Sequence, residues 1–245
     1  MKAVVVIPAL DEAETIGACL RALAAQDGLG HDEYAAVLVL HPECVDDTHG
    51  EALAAVVTNG LRLTVLTGPG GGVGPARRMG MDLAASLLAP TGLIASTDAD
   101  SVVASDWLVR QLEAIATGAD AVGGWIELDG GDLHPDVLER RAARAVERLA
   151  TVHAHTPTAQ HHHFAGASMS LTADAYRRVG GIEPLEALED EALERALRAH
   201  DLRIDRLHSV RVRTSSRLQG RAAAGLASDL ADATAIALAA QPRTA

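Results

Sequence analysis

Aromatic residues make up only 2% of the 245 residues, so the core must be built from Ala, Val, Leu and Ile. The shortage of rings argues against binding of single-stranded nucleic acid, which depends on aromatic stacking platforms. Basic residues are also the minority, and the formal net charge is −12. Because a protein that binds a phosphate backbone usually carries a basic face, we expect no nucleic-acid partner.

Cysteine is scarce and long apolar runs are missing. Cys19 and Cys44 are too few for a disulfide framework or a four-thiolate zinc site, and we expect both to be reduced thiols in the cytoplasm. No run of about 18 apolar residues occurs, so we expect no membrane span. Pro8, Asp11 and Glu12 interrupt the N-terminus too early for a signal peptide.

The first hundred residues alternate β-branched runs with helical periodicity. Strands are predicted over 3–7, 37–40, 61–66 and 93–96, and helices over 11–26, 47–59 and 75–88. This order is typical of a parallel sheet with helices on both faces. Further on we predict a strand over 121–128, extended chain over 202–213, and helices over 105–117, 135–153, 172–179, 189–200 and 218–240. No linker or repeat divides the chain, so we expect one domain over residues 1–245.

Two carboxylates, Asp98 and Asp100, follow the fourth predicted strand. Open α/β sheets bind ligands at the carboxyl ends of their strands. If the chain stays extended here, side chains two residues apart point the same way and both carboxylates face one point. Such a pair suits Mg²⁺ or Mn²⁺ bridging to the phosphates of a ligand. A solvated turn is the alternative, since an isolated Asp-x-Asp is a weak motif.

A glycine-rich loop over residues 68–74 opens the third predicted helix. Backbone N–H groups at such a helix start can bind phosphate, and Arg77 or Arg78 can add a charge-assisted hydrogen bond. The loop lacks the Gly-Lys-Ser/Thr of a Walker motif, and it follows the third strand rather than the first. A flexible linker is an equally good interpretation of the loop by itself.

Two polar segments of the second half have more than one interpretation. Glu189 and Asp190 begin a predicted helix, where acids stabilise the helix dipole, but either could be a general base. His161, His162 and His163 are adjacent, and three adjacent histidines of an extended chain cannot all face one metal. Without an acidic partner at zinc spacing, we expect a polar loop near the acceptor rather than a metal site.

Several segments, in this order along the chain, resemble the inverting family-2 glycosyltransferases with the GT-A fold. They are residues 4–12, 74–80, 98–100, 164–169, 180–182 and 189–190. Together they span about residues 3–200. The resemblance implies a GT-A-like α/β fold with a mostly parallel central sheet and helices on both faces. It implies a nucleotide-binding half over 1–120, and an acceptor-binding half with a C-terminal helix over 121–245.

The resemblance also implies roles for single residues. The residues it assigns to the nucleotide-sugar donor are Pro8, Ala9, Glu12, Gly74, Arg77 and Asp98. Asp98 and Asp100 match the metal-binding Asp-x-Asp motif, which implies Mg²⁺ or Mn²⁺. Asp190 matches the family's usual general base, and the residues assigned to the acceptor side are Gly166, Ala167 and Glu189.

Three features depart from the family pattern. The second strand usually ends in Asp-Asp-Gly-Ser, but here residues 41–44 are His-Pro-Glu-Cys, which leaves the base of the donor open. Arg78 replaces the Asn of the glycine–Ala-Arg-Asn–x-Gly segment. The Gln-x-x-Arg-Trp motif of processive enzymes is absent. Arg217 and Arg221 form a different basic element, which we expect to contact a diphosphate or an acidic acceptor.

The resemblance implies a cytoplasmic, hexosyltransferase-like enzyme that moves one sugar from a nucleotide-sugar donor to an acceptor hydroxyl with inversion, using a divalent metal. The acceptor is expected to be a small molecule or lipid-linked, and a homodimer is open as the assembly. Two alternatives stay open. A nucleotidyltransferase is one, although the N-terminal glycine-rich Pro-Lys loop of those enzymes is absent. A non-catalytic sugar-nucleotide binding module is the other, and it would tolerate loss of Asp190.

Overall fold

Eight strands form one sheet in the computed structural model, which describes residues 1–130, 133–217, 230, 231 and 234. The strands are β1 (Ala3–Ala9), β2 (Tyr34–Leu40), β3 (Leu63–Thr67), β4 (Leu93–Ser96), β5 (Ser101–Val103), β6 (Ala121–Leu128), β7 (Met169–Thr172) and β8 (Ile204–Thr214). The helices are α1 (Ile16–Ala24), α2 (Thr48–Asn59), α3 (Val73–Leu87), α4 (Trp107–Ala116), α5 (Pro135–His153), α6 (Ala173–Arg178) and α7 (Glu189–Ala199).

The strand order is β3-β2-β1-β4-β7-β6-β8-β5. Strands β1 to β4 pair in parallel, whereas β7 pairs antiparallel to both β4 and β6. Because β7 reverses direction between them, β6 runs parallel to β4. The carboxyl ends of β1, β2, β3, β4 and β6 therefore lie at one edge of the sheet, where α/β sheets bind ligands.

Helices pack on both faces of the sheet, as the sequence predicts. Alternate residues of β1 belong to different cores: Val5 and Ile7 pack in the cluster with α1 and α4, and Val4 and Val6 in the cluster with α3 and α6. All seven residues of β1 are buried. This two-sided burial explains why β1 is a continuous apolar run rather than an alternating one.

Most predicted elements are present, but their bounds differ at two points that shape the sheet edge. The first helix begins at Ile16 and not at residue 11, because Asp11 adopts a left-handed φ of 52° and Glu12 donates its N–H to Thr48 Oγ1 at 2.8 Å. The chain after Asp98 does not stay extended. It turns, with Ser101 N–H donating to the Asp98 carbonyl at 3.1 Å, and enters β5.

Strands β5 and β7 are missing from the sequence prediction. Both are short, of three and four residues, and the small Ser residues in them give little strand signal. The predicted helix over 218–240 lies almost entirely outside the described residues. Among the helices that the structure describes, none is long and apolar enough to cross a membrane.

Candidate active site

Acidic residues from three parts of the chain meet at the carboxyl edge of the sheet. Glu12 follows β1, Asp98 and Asp100 follow β4, and Glu189 and Asp190 begin α7. Each strand end supplies polar residues to the same edge, since the parallel strands all finish there. We call these five carboxylates the acidic cluster.

Arg77, on α3, is the buried cation of the acidic cluster. Its Nε donates to Ser96 Oγ at 3.0 Å, its Nη2 to Asp98 Oδ1 at 2.7 Å, and its Nη1 pairs with Glu189. The side chains of Arg77 and Glu189 are 2% and 3% exposed. A buried charge is tolerated only when it is paired and hydrogen-bonded, so this arginine locks α3, β4 and α7 together.

All three Arg77 nitrogens are therefore bonded to protein atoms. The predicted bond from Arg77 to a phosphate stays a prediction, since each terminal nitrogen carries a second N–H beyond its bond to Asp98 or Glu189. Arg78 points elsewhere, with Nη1 donating to the carbonyl of Ile182 at 2.8 Å.

The segment before β7 packs directly on the buried arginine. A Cβ at Gly166 would lie 2.4 Å from Arg77 Nη2, so only glycine allows this approach. Gly166 N–H donates to Asp190 Oδ2 at 3.0 Å, and Thr97 Oγ1 donates to the Ala167 carbonyl at 2.9 Å. The structure thus brings Gly166 and Ala167, both predicted acceptor-side residues, to the acidic cluster.

Arg217 joins the other side of the acidic cluster from the end of β8. Its Nη1 donates to Glu12 Oε2 at 2.9 Å, and its Nη2 donates to Glu12 Oε1 at 2.6 Å. The same Nη2 lies 3.0 Å from Asp100 Oδ2. Thr15 Oγ1 also donates to Glu12, at 2.8 Å. Arg217 thereby joins the ends of β1, β4 and β8.

Two carboxyl groups have raised pKa values, although both have an arginine partner. Removal from water and the charge of Asp98 raise the pKa of Asp100 to about 6, against the lowering effect of Arg217. The pKa of Asp98 is raised chiefly by desolvation, with Arg77 lowering it and Asp190 raising it again. The acidic cluster contains five carboxylates and contacts two arginines, Arg77 and Arg217.

This excess of carboxylates bears on whether the cluster can bind the predicted metal. Two neighbouring carboxylates with raised pKa values gain from a divalent cation, and Mg²⁺ and Mn²⁺ prefer oxygen ligands. Asp98 and Asp100 lie in a turn and not in an extended segment. Asp98 contacts Arg77, and Asp100 contacts Arg217. The donor set fits a cation that is also held by the phosphates of a ligand.

A second group of metal-type ligands lies near the ends of β1 and β2. Among the described residues, Asp11, Cys44 and Asp46 are the only three His, Cys, Asp or Glu residues whose ligand atoms all lie within 4.8 Å of one another. Asp11 Oδ1 accepts the Val45 N–H at 2.8 Å, and Asp46 Oδ2 accepts the Ala13 N–H at 2.9 Å. These bonds give the group a structural task, which is to hold two loops together.

The remaining donor-side predictions lie around the same edge. Ala9, the last residue of β1 after Pro8, is 6% exposed. In the glycine loop, a Cβ at Gly74 would lie 2.0 Å from the carbonyl of Leu185, so this glycine permits close packing of α3 on the loop before α7. Of the predicted acceptor-side residues, Arg221 lies outside the described part of the chain.

The histidine run forms an aromatic cluster that sequence reasoning did not predict. The Trp125 ring lies 5.6 Å from the ring of His161, 5.1 Å from His163 and 4.9 Å from His208. The ring centroids of His162 and His163 are 4.2 Å apart, with the rings tilted by 59° to each other. In the described ranges, no histidine belongs to a group of three metal-type ligands whose ligand atoms lie within 4.8 Å of one another.

Sequence reasoning also missed two hydrogen-bond partners of the acidic cluster. Thr48 and Thr214 support Glu12 and Asp100, with Thr214 Oγ1 donating to Asp100 Oδ1 at 3.3 Å. A threonine carries no functional signal in a single sequence. Trp125 had a weak signal, because it is one of only two Trp residues in the chain.

Comparison with known families identifies a match over most of the chain. The model of the family described as Glycosyl transferase family 2 matches residues 4–179. The search of curated proteins gave no significant match. The matched range contains Glu12, Arg77 and the Asp98–Asp100 turn, and it ends before Glu189.

Solved structures with the same fold are distant in sequence. S. aureus TarS 1-349 in complex with UDP-GlcNAc has a TM-score of 0.65 and 17% identity, over 92% of this chain and 62% of that chain. The mannosyltransferase PcManGT from Pyrobaculum calidifontis, in complex with GDP-Man and Mn²⁺, has a TM-score of 0.65 and 18% identity. The match covers 98% of this chain and 76% of the PcManGT chain. This chain thus spans 62% of the length of the TarS chain. The likeness confirms the predicted GT-A-like fold.

Proposed function

We propose that this chain, which belongs to glycosyl transferase family 2, moves one sugar from a nucleotide-sugar donor to an acceptor hydroxyl. The proposal includes inversion at the anomeric carbon and dependence on a divalent cation. The family match favours glycosyl transfer over the nucleotidyl transfer that the sequence left open. Binding without catalysis is the other alternative, and substitution of Asp190 distinguishes it.

The position of Asp190 carries the proposal. Its carboxylate is fixed by the Gly166 N–H at 3.0 Å, and it lies near enough to Asp98 for its charge to raise the pKa of that group. The main-chain N–H of Gly166 fixes the orientation of this carboxylate. We assign to it the removal of the acceptor proton.

In the proposed reaction, the Asp190 carboxylate takes the proton of the acceptor hydroxyl while that oxygen attacks the anomeric carbon. The bond from the anomeric carbon to the nucleotide diphosphate breaks on the opposite face, so a single displacement inverts the configuration. Gly166 orients the base, and the Arg77–Glu189 pair holds the helix on which the base sits. A covalent enzyme intermediate is not required.

Asp98 and Asp100 are the proposed metal ligands. When bound, Mg²⁺ or Mn²⁺ would neutralise charge on the leaving diphosphate. The presence of Mn²⁺ in the PcManGT complex supports this part of the proposal. Arg217, which already contacts Glu12 and Asp100, is placed to exchange a carboxylate partner for a phosphate oxygen when the donor binds.

The finer parts of the proposal concern the donor and the setting. We propose a hexosyl donor, in line with the UDP-GlcNAc of TarS and the GDP-Man of PcManGT. The two cysteines, Cys19 and Cys44, are free, which supports the predicted cytoplasmic location. The homodimer that the sequence left open stays a prediction.

Thermal shift with a panel of UDP, GDP and dTDP sugars tests the function, at pH 7.5 with Mn²⁺ or with EDTA. A ligand that binds only the native state at a hundred times its Kd adds about 2.7 kcal/mol to stability. We expect at least one sugar nucleotide to raise Tm with Mn²⁺ and to lose that effect with EDTA. The same pair of conditions is then applied to Asp100→Asn, which should lose the Mn²⁺-dependent shift.

Asp174→Asn is the matched control, because Asp174 is an exposed acid near the start of α6. It should keep the full shift. A panel without any Mn²⁺-dependent shift would contradict the proposed donor site. An equal shift for wild type and Asp100→Asn would contradict the assigned metal ligand.

A further inference from the structure

A cavity of about 250 Å³ lies between α5 and the outer part of β6. We call it the α5 groove. One wall is helix α5, and the other is formed by Trp125 and Ile126 of β6 with His162 and His163. Neither wall contributes to the acidic cluster, so the groove is a separate surface next to it.

The helical wall of the α5 groove is strongly cationic. Arg140, Arg144 and Arg148 are spaced four residues apart and, with Arg141, line the same cavity. Four arginines on one helix stand out in a chain whose net charge is −12. In the described part of the chain, Arg140 and Arg144 have no ion-pair partner. Guanidinium groups match phosphate geometry with two parallel hydrogen bonds.

The opposite wall offers neutral donors and an aromatic ring. His163 Nδ1 accepts the Ile126 N–H at 3.2 Å, which assigns the proton of that imidazole to Nε2. Burial lowers the pKa of His163 to about 2 and that of His162 to about 4, so both rings are neutral near pH 7. The wall therefore presents N–H donors and the Trp125 ring rather than additional charge.

The α5 groove and the proposed base belong to the same edge of the sheet. In the β6–β7 ladder, Gly123 pairs with Met169, so Trp125 and Ile126 extend past the start of β7. His163 precedes Gly166 by three residues, a distance of at most about 11 Å along extended chain. Gly166 in turn contacts Asp190 at 3.0 Å. A sugar-sized acceptor can thus reach from the groove towards Asp190.

We propose that the α5 groove binds the phosphate group of a phosphorylated acceptor, with Arg140 and Arg144 as its selectivity-determining residues. This inference rests on the proposed glycosyl transfer, and it adds the acceptor's chemical class. A phosphate held by the groove would place a hydroxyl of the same molecule towards Asp190. An uncharged acceptor would make no ion pair with Arg140 or Arg144 and would bind less tightly.

Among the described residues, the remaining lining of the α5 groove is apolar: Val137, Leu138, Ala142 and Ala145 on the helix, with Leu230. The phosphate can therefore belong to a small soluble molecule or to the headgroup of a lipid. Glycerol 3-phosphate is the probe for the first source. Dodecyl phosphate in micelles of a neutral detergent is the probe for the second.

Tryptophan fluorescence reports ligand binding in the α5 groove. Trp125 lines it, whereas the only other tryptophan, Trp107, is fully buried and bonded through Nε1 to Ser168 Oγ at 3.0 Å. Each phosphate probe is titrated into the 245-residue protein, with glycerol or detergent alone as the uncharged reference. We expect a saturable change with at least one phosphate probe, and none in Trp125→Phe.

Arg140→Gln/Arg144→Gln should raise the apparent Kd for that probe at least tenfold. The matched control is Arg62→Gln/Arg110→Gln, which removes the same two charges from exposed sites far from the groove, and it should raise the Kd less than twofold. Binding of either probe with this pattern supports the inference, and the stronger probe identifies the source. Absence of saturable binding, or an equal loss in both double variants, overturns it.

Donor binding is measured on the same protein samples by the Mn²⁺-dependent thermal shift. If the donor shift is absent but Arg140→Gln/Arg144→Gln abolishes phosphate binding, the proposed function fails and the phosphate site stands. If the donor shift is present and the phosphate probes have no effect, the proposed function stands and the inference fails. The arginine variants should leave the donor shift unchanged, because neither residue contacts the acidic cluster.

Discussion

Asp190 combines two chemical possibilities in one side chain. Its Oδ1 accepts the Glu191 N–H at 2.9 Å, as a carboxylate at a helix start does, and its Oδ2 accepts the Gly166 N–H. The first bond stabilises a helix end and is worth about 0.3–1 kcal/mol. The second fixes the carboxylate beside Gly166, a predicted acceptor-side residue.

Asp190→Asn separates the two roles, because Asn keeps the shape and one acceptor oxygen of the side chain but cannot take a proton. As a general base, Asp190 should contribute about 10² to 10⁴-fold to the rate of transfer. We expect the variant to lose that factor while Tm and donor affinity stay at the wild-type level. Glu191→Gln, one residue further on α7, is the control and should keep full activity. Transfer by Asp190→Asn within about threefold of wild type would reject the base assignment.

Arg77 is the residue whose loss should cost most in stability. Removing one partner of a buried ion pair leaves an uncompensated charge, at a cost of about 3–5 kcal/mol. We expect Arg77→Met to lower the free energy of unfolding by this amount in urea titrations, since Glu189 would stay buried without its cation. Glu189→Gln in the same chain should restore part of the loss.

Arg78→Met is the control for Arg77→Met, because the neighbouring Arg78 side chain is 37% exposed. Its loss should cost less than about 1 kcal/mol, as surface ion pairs do. A cost for Arg77→Met no larger than that of Arg78→Met would show that the buried pair contributes little.

At the scale of elements, the histidine run makes stability depend on pH. Burial lowers the pKa of His161 to about 4 from its ordinary 6.5, so the folded chain holds this ring neutral where the unfolded chain protonates it. The stabilising contribution is complete above pH 6.5 and is lost as pH falls towards 4, at up to about 1.4 kcal/mol per pH unit. His162 and His163 add to the same trend.

Urea titrations at pH 7.5, 6.0 and 5.0 should show this loss for the wild type. His161→Gln should flatten the dependence, whereas His200→Gln, on the exposed end of α7, should not. The comparison between variants is needed because the raised pKa of Asp100 acts with the opposite sign. Equal slopes for wild type and His161→Gln would contradict the assignment.

At the scale of the whole molecule, the sheet joins the two predicted halves. Strand β7 from the second half lies between β4 and β6, and Trp107 of the first half donates to Ser168 of the second. A chain cut after residue 120 would expose the β4 edge without its partner. The two halves therefore depend on each other for folding.

We expect one cooperative unfolding transition, with coincident midpoints by far-UV circular dichroism and tryptophan fluorescence. A chain of residues 1–120 alone should give no cooperative transition, measured against the full chain under the same conditions. Two separate transitions in the full chain would contradict the single domain predicted over residues 1–245.

The sequence by itself determined the kinds of elements and the edge at which they present polar residues. Strands β4 and β6 and helix α5 have the predicted bounds, because apolar periodicity and flanking Gly and Pro are local signals. The Asp98–Asp100 motif and the Glu189–Asp190 pair were correctly placed after a strand and at a helix start. Local order along the chain was sufficient for these features.

Only the tertiary structure decided which charges meet. Arg77 and Glu189 are 112 residues apart, and Arg217 and Glu12 are 205 apart, so no spacing rule connects them. Their pairing follows from the antiparallel insertion of β7 and the return of β8 beside β6. The α5 groove arises in the same way, because it forms between a helix and a strand end that each have the sequence pattern of a solvent-exposed segment. Burial and long-range register set these contacts, and both depend on the whole fold rather than on neighbouring residues.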